Sequence, residues 1–213
     1  MHRGRCPDLS SISHSPTHAP AERLPADFYL RDAVEVARDL LGKVLCSHFD
    51  GQLTEAVITE TEAYAGTGDR ASHAFGGRRT ARTEPMYREG GVAYIYLCYG
   101  IHHLFNVVTG KRDDPQAVLL RAGEPLRGID EMRVRRNKTA GKSKLMAGPG
   151  SLSQALGIHT KLSGVSLFGD ELWIEDHQLV VTDEDIVVGP RIGIDYAGDD
   201  AARPYRFVLT SMP

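Results

Sequence analysis

The sequence predicts an α+β fold built as a single mixed domain. Its 213 residues fit one domain of ordinary size. A hydrophobic share of 41% can bury a substantial core without metal or disulfide staples. Runs of helical and of strand periodicity both occur, and several strand runs are joined by turn residues.

Taken in chain order, residues 1–23 read as a disordered tail. The segment is rich in Ser, Pro and His and nearly lacks large apolar residues, so it cannot offset the entropy of ordering. His14 and His18 have no Cys or carboxylate ligands nearby and count as tail composition. The folded domain is expected over 24–213. Ala33, Val34, Ala37, Leu40 and Leu41 recur at helical spacing, with Gly42 placed for a C-terminal cap. Residues 43–49 and 53–62 predict two strands around Gly51. Residues 92–99 and 102–108 predict two more around Gly100. This second pair is aromatic or β-branched and almost uncharged, as strands buried on both faces would be. Residues 117–122 predict a short buried strand, and 124–136 a second helix. A third helix is expected to start after Pro149 and stop at Gly157. The stretches 166–175, 178–182, 191–194 and 205–210 alternate like strands closing a sheet.

The net charge of −3 conceals an asymmetry. Residues 121–144 carry eight Lys/Arg against three Asp/Glu, whereas residues 170–213 carry three Arg against ten acids. This suits a protein with a basic face and an acidic back, and equally a solvated helix with acidic loops. Two stretches break the regular pattern. One, 65–91, is glycine-rich and carries Arg78, Arg79, Arg82 and Arg88; the other, 137–144, is basic. Cationic loops of this length inside a domain favour contact with phosphates. Three widely spaced cysteines (Cys6, Cys46, Cys98) with no CxxC pair argue against a disulfide framework and a thiolate zinc site, and fit a reducing compartment. No run approaches the ~20 apolar residues of a membrane helix. Arg3 and Arg5 are not followed by an apolar stretch, so no secretory signal is read and a cytoplasmic location is expected.

Two clusters could carry chemistry. In the strand TEAVITETEAY, Glu60 and Glu62 share parity and one face, roughly 6 to 7 Å apart by strand rise. Such a pair resembles a hydrolase acid/base pair, and also an ordinary solvated strand. Tyr64, Asp69 and His73 follow closely and bring an aromatic and an imidazole near the carboxylates. The second cluster is Tyr94, Tyr96 and Tyr99, then His102, His103 and Asn106. It reads either as core aromatics or as a stacking platform for a base, with an exposed side chain at a hairpin tip. His102 and His103 point to opposite faces of a strand and cannot easily share a metal.

The words ETEAY, DRASH, YGIHH, LLRAGEP, GPGSLSQALGI and GPRIGI, in this order and spacing, resemble the alkyladenine (3-methyladenine) DNA glycosylase family. The resemblance runs from the first helix to YRFVLT and omits only the tail. It implies a curved, mainly antiparallel sheet with flanking helices and a protruding hairpin. It implies a monofunctional glycosylase of base excision repair that flips a damaged purine from double-stranded DNA and hydrolyses its N-glycosidic bond. The implied lesions are 3-methyladenine, 7-methylguanine, hypoxanthine and ethenoadenine. Carried onto this sequence, Glu62 matches the general base and Arg121 an arginine near the catalytic water. Tyr64 and His73 match residues lining the base pocket, with Tyr96 stacking on the opposite face of the base. Asn106 matches a residue that disfavours guanine by crowding its amine, and Tyr99 the residue that enters the duplex. Backbone contacts are expected from Arg78, Arg79, Arg82, Arg136, Lys138 and Lys142. No metal or cofactor and no membrane are expected; the expected partner is double-stranded DNA with a damaged purine, and the enzyme would act as a monomer, at the nucleoid if bacterial. A binding module of the same fold without chemistry, and a hydrolase of RNA or free nucleosides, are the competing readings. Glu62 argues against the first; Tyr99 and the basic loops argue against the second.

Overall fold

The longest strand, β3 (Gln52–Tyr64), follows β2 (Val44–Phe49) through a turn in which Asp50 and Gly51 both take positive φ, the geometry that matches strand twist. The computed structural model describes residues 21–137, 141 and 144–211, and among these nine strands form one sheet. The others are β1 (Glu22–Arg23), β4 (Ala93–Cys98), β5 (His102–Thr109), β6 (Gln116–Arg127), β7 (Leu172–Asp176), β8 (Ile186–Gly189) and β9 (Arg206–Leu209). All pairings are antiparallel, in the order β1-β7-β2-β3-β6-β5-β4, with β9 beside the second half of β3 and β8 outside β9.

Helices cover one face. They are α1 (Ala26–Tyr29), α2 (Ala33–Asp39), α3 (Ile129–Arg136) and α4 (Pro149–Ala155). Asp32 caps α2 by accepting the Val34 N–H at 2.8 Å, and Pro149 occupies the first turn of α4, where its missing N–H costs nothing. Val36 and Ala37 from α2, Leu40 at its C-terminal cap, Met132 from α3 and Leu152 from α4 bury against Leu45, Ile58, Phe105, Val107, Val118 and Leu120 of the sheet. This apolar burial supplies the main driving force for folding.

Two bulges determine what the other face displays. Between Ile58 and Glu60 the register gives β3 one extra residue, Thr59; one step later it gives β6 one extra residue, Arg121. In a regular strand Glu60 and Glu62 would continue the parity of Ala56 and Ile58 and enter the apolar core. The bulge at Thr59 reverses the phase. Thr61 and Ala63 now face the helices, with Thr61 Oγ1 donating to the Ala37 carbonyl at 2.7 Å, and both glutamates turn to the open face. The bulge at Arg121 aims its side chain at the same two carboxylates. Cross-strand partners then line up as Arg206, Glu62, Leu119, Asn106 and Tyr94, one residue from each of five strands.

The hairpin of β4 and β5 extends beyond the sheet. Strand β5 pairs with β6 only over Asn106–Thr109, so Tyr96–Leu104 form a two-stranded arm. Its tip places Tyr99 at φ +51 and Gly100 at φ +73, and Tyr99 is 91% exposed. A left-handed tyrosine is uncommon and marks a position held for its side chain.

The structure revises several expectations. Residues 124–127 extend β6 rather than open a helix, because β3 pairs with them as far as Arg127; Gly128 at φ +73 then ends the strand, and α3 begins at Ile129. Residues 178–182 and 191–194 pair with no strand, whereas Ile186–Gly189 does. Glu22 and Arg23 pair with Asp176 and Glu175, so a strand lies inside the segment read as tail. The arm strands are buried on both faces only near the sheet: Leu97 is already exposed. Deleting Thr59 should leave Glu60 and Glu62 on the open face, because Glu60 then follows Ile58 in regular alternation, and thermal unfolding should stay cooperative. Thr59→Ala, which keeps the bulge, should shift stability by no more than about 1 kcal/mol. Circular dichroism melts of the two variants check this.

Candidate active site

On the open face, a cavity of about 370 Å³ is lined by Tyr64, His73, Tyr94, Tyr96, Asn106, Leu119, Arg121, Ile192 and Tyr196, with Tyr99 at its edge. Glu62 lies directly behind Tyr64, Arg121 and Ile192 and is fully buried. An isolated carboxylate there would be costly, and three donors compensate it. Its Oε1 accepts the Ile192 N–H at 2.8 Å and lies 3.3 Å from Arg121 Nη1. Its Oε2 accepts the Tyr64 hydroxyl proton at 2.9 Å. Burial nevertheless dominates and raises the Glu62 pKa above the ordinary glutamate value, with the nearby charge of Glu60 adding to it and the three donors opposing it. Glu62 is therefore a stronger base than an exposed glutamate.

The Ile192 amide is held in place by a buried ion pair. Arg191 and Asp69 are both fully buried at their side chains and form a two-pronged pair: Nη1 with Oδ2, and Nη2 with Oδ1 at 2.8 Å. Arg191 Nη1 also donates to the Ala63 carbonyl at 2.9 Å, and its guanidinium lies 4.8 Å from the centre of the Tyr64 ring. The Asp69 carboxylate in turn accepts the amides of Ala65 and Ala71. Burial alone would raise the Asp69 pKa, but Arg191 outweighs it and the net shift is downward. The irregular 190–194 segment is thus pinned to the end of β3, which delivers one backbone N–H to Glu62.

Aromatic groups form the walls. His73 meets Tyr96 edge to face at 4.6 Å between centroids, and its Nδ1 shares a hydrogen with the Tyr94 hydroxyl at 2.7 Å. Stacking a base between two rings needs about 7 Å, twice the ordinary carbon contact distance. His73 and Tyr96 therefore belong to one wall, which corrects the expectation that Tyr96 faces His73 across a base. Burial, reinforced by Arg82 and Arg78, depresses the His73 pKa from 6.5 to about 4, so the ring is neutral at pH 7. Asn106 is buried and its Nδ2 donates to the carbonyls of Tyr94 at 3.0 Å and Leu104 at 3.3 Å. Both amide hydrogens are committed, so its orientation is fixed.

The sequence of this chain matches the profile of the methylpurine-DNA glycosylase (MPG) family over residues 27–213. The chain belongs to that family. It is 42% identical over 192 residues to a protein of Natranaerobius thermophilus, covering 90% of this chain and 97% of the other. It is 46% identical over 197 residues to one from Bacillus thuringiensis (89% and 96%) and 47% over 195 residues to one from Clostridium botulinum (87% and 95%). Each relative bears the provisional name 3-methyladenine DNA glycosylase. This methylpurine-DNA glycosylase family member is a hydrolase of N-glycosyl bonds whose substrate is DNA, in base excision repair.

The basic residues divide. Arg78 and Arg82 are exposed beside His73. Arg79 is bound to Glu84 at 2.7 Å and Asp113 at 2.7 Å, lies over the Tyr87 ring and stays half-exposed. Arg136 is clasped to Gln154 at 2.5 Å. Lys138 and Lys142 lie outside the described residues. Sequence reasoning missed Arg191 and the Ile192 amide. The word GPRIGI contains them, but a backbone donor has no side-chain signature. Among the described residues no three metal-binding side chains converge, and no helix is long and apolar enough to cross a membrane.

Asp69→Asn should leave the Arg191 charge buried without its counter-ion and cost about 3–5 kcal/mol in urea unfolding. The excision rate should fall further than DNA affinity, because the Ile192 amide loosens. The depressed His73 pKa makes a second expectation. The folded state binds fewer protons there than the unfolded chain, so its contribution is fully present above pH 6.5 and declines as pH falls toward about 4. Urea midpoints measured between pH 7 and 4 should fall less steeply in His73→Gln than in the parent chain.

Proposed function

We propose that this enzyme flips alkylated or deaminated purines out of duplex DNA and hydrolyses the glycosidic bond with a water activated by Glu62. The lesions are of the 3-methyladenine, 7-methylguanine, hypoxanthine and ethenoadenine class. The observation that carries the reading is the buried Glu62 carboxylate, kept basic behind a purine-sized aromatic cavity.

A base inside a duplex is out of reach, and extruding it costs a few kcal/mol of stacking and pairing. Tyr99 fills the gap and slows the return of the base. Its 91% exposure at the end of a two-stranded arm supports that use. The extruded purine lies between Tyr64 and the wall formed by His73 and Tyr96. Electron-poor alkylated rings stack best against such aromatic faces. Asn106, fixed by two carbonyls, crowds the exocyclic amine of guanine and disfavours the normal base. Water held near Arg121 and the Ile192 amide loses its proton to Glu62 as it attacks the sugar. A cationic lesion such as 3-methyladenine leaves readily. Neutral hypoxanthine needs hydrogen bonds from the pocket. No lysine lines the cavity, which supports a monofunctional hydrolase without a Schiff-base intermediate.

Arg78 and Arg82 supply salt-sensitive contacts to phosphates, joined by Arg136 and the basic segment with Lys138 and Lys142. The enzyme acts as a monomer in the cytoplasm, where Cys46 and Cys98 remain free thiols. A non-catalytic binding module would gain nothing from a buried, compensated carboxylate.

Glu62→Gln is the direct test. It should slow release of hypoxanthine and of 3-methyladenine from duplex oligonucleotides by about 100- to 10,000-fold. Affinity for lesion DNA, measured by fluorescence anisotropy, should stay within a few-fold. Excision at the parent rate in this variant would remove Glu62 from the mechanism.

A further inference from the structure

We propose that Glu60 is a positioning residue for this reaction: it holds Arg121 by Nε, so that Arg121 approaches Glu62 only from the side and leaves it free to act as a base. The proposal rests on Glu62 being that base.

Glu60 and Arg121 come together because each is displaced by the paired bulges. The bulge at Thr59 turns Glu60 out of the core, and Arg121 is the extra residue of β6 opposite. Glu60 Oε1 accepts from Arg121 Nε at 2.9 Å and from Arg206 Nε at 2.6 Å. Arg206 is the cross-strand neighbour of Glu62 on β9. Four charges therefore run in one chain, Arg206, Glu60, Arg121 and Glu62, and their side chains are 28%, 14%, 14% and 0% exposed. Screening by solvent is weak at the Glu62 end.

The two contacts of Arg121 differ in kind. With Glu60 it forms a short, charge-assisted hydrogen bond. With Glu62 it approaches to 3.3 Å, beyond the usual 2.7–2.9 Å of such bonds. A guanidinium free of Glu60 would turn its fork onto Glu62 and pair with it in two-pronged fashion. Such a pairing favours the ionised carboxylate and makes it a poorer proton acceptor. Glu60 prevents this in two ways: it anchors the competing cation, and its own negative charge opposes ionisation of Glu62. The other groups that face Glu62 are Tyr64 from its own strand, Tyr96 from β4, Arg191 from the pinned loop and Arg206 from β9. Removing Glu60 leaves Tyr64, Tyr96 and Arg191 in place and frees Arg206 together with Arg121, two cations that would then favour the ionised form of Glu62.

The experiment is a single-turnover pH profile of hypoxanthine excision from duplex DNA by Glu60→Gln, Glu60→Asp and the parent enzyme. In Glu60→Gln the acid limb should move to lower pH by about one unit, and the plateau rate should fall by about tenfold. DNA affinity should change less than twofold. In Glu60→Asp the charge is kept but the reach is shortened, so the limb should move the same way by a smaller amount. This variant also carries the test if the glutamine variant fails to unfold cooperatively. A purely structural role would lower the rate or the melting temperature with the limb unmoved. An unmoved limb, or one displaced to higher pH, in a folded variant overturns the proposal. Glu62→Gln in the same series separates the two readings: if it excises at the parent rate, the base assignment itself fails. If it is inactive while the Glu60→Gln limb stays in place, only the positioning role is lost.

Discussion

A carboxylate with no solvent contact, placed at the middle of a β-sheet, is the constraint on which the rest of this structure depends. Ionised Glu62 would carry a desolvation penalty of several kcal/mol unless donors meet it. Those donors come from three separate parts of the chain: Tyr64 two residues along the same strand, Arg121 from the neighbouring strand, and the Ile192 amide from an irregular segment far in sequence. Each requires its own support. The Tyr64 ring is backed by Arg191, Arg121 is aimed by a bulge and anchored by Glu60, and the Ile192 amide is fixed by the Arg191–Asp69 pair. A regular sheet edge could not converge these groups, because side-chain alternation would send half of them to the wrong face. The irregularities of β3, β6 and the 190–194 segment are therefore required by one charge.

The same constraint separates the faces of the sheet by task. The helix-covered face is dry and apolar, and its packing supplies stability. The open face has a row of polar and aromatic side chains that would be unfavourable on a core surface. It gains rigidity from hydrogen bonds such as Asn106 to the Tyr94 carbonyl and His73 to Tyr94. The arm of β4 and β5 belongs to neither face. It leaves Leu97, Tyr99 and Ile101 in water, an apolar tip that makes physical sense only against a partner with its own apolar interior. On the proposed reading, a stacked DNA duplex offers one.

Much of this was legible in the sequence, and the parts that were not share a physical cause. The β2–β3 hairpin, α2, the tyrosine arm and the start of α4 at Pro149 follow from periodicity and turn residues. Parity correctly put Glu60 and Glu62 on one face, yet could not show that without the bulge at Thr59 that face would be the core. Choosing Glu62 over Glu60 needed the family resemblance; spacing left the two equal. Residues 124–127 read as helix because helix-forming residues follow them, while long-range pairing with β3 keeps them extended. The stretch 191–194 alternates like a strand, but a buried ion pair rather than a partner strand fixes it. Contacts of high sequence separation, and donors that belong to the backbone, leave no local pattern.

The charge state of the cavity bears on which purines it admits. Arg206, Glu60, Arg121 and Glu62 together sum to no net charge, as do Arg191 and Asp69. Burial keeps His73 neutral at pH 7 and keeps the phenols of Tyr64, Tyr94 and Tyr96 protonated. A fixed cation at the wall would repel 3-methyladenine, which carries a positive charge, and a fixed anion would favour it over neutral hypoxanthine. A cavity balanced in this way does neither strongly. On the proposed reading, selection between lesions then rests on the ease with which each base leaves and on the shape set by Asn106. On the same reading, attraction to DNA is supplied elsewhere, by exposed arginines such as Arg78 and Arg82. Keeping the long-range attraction outside the pocket lets a chain of net charge −3 bind a polyanion without making its cavity selective for charge.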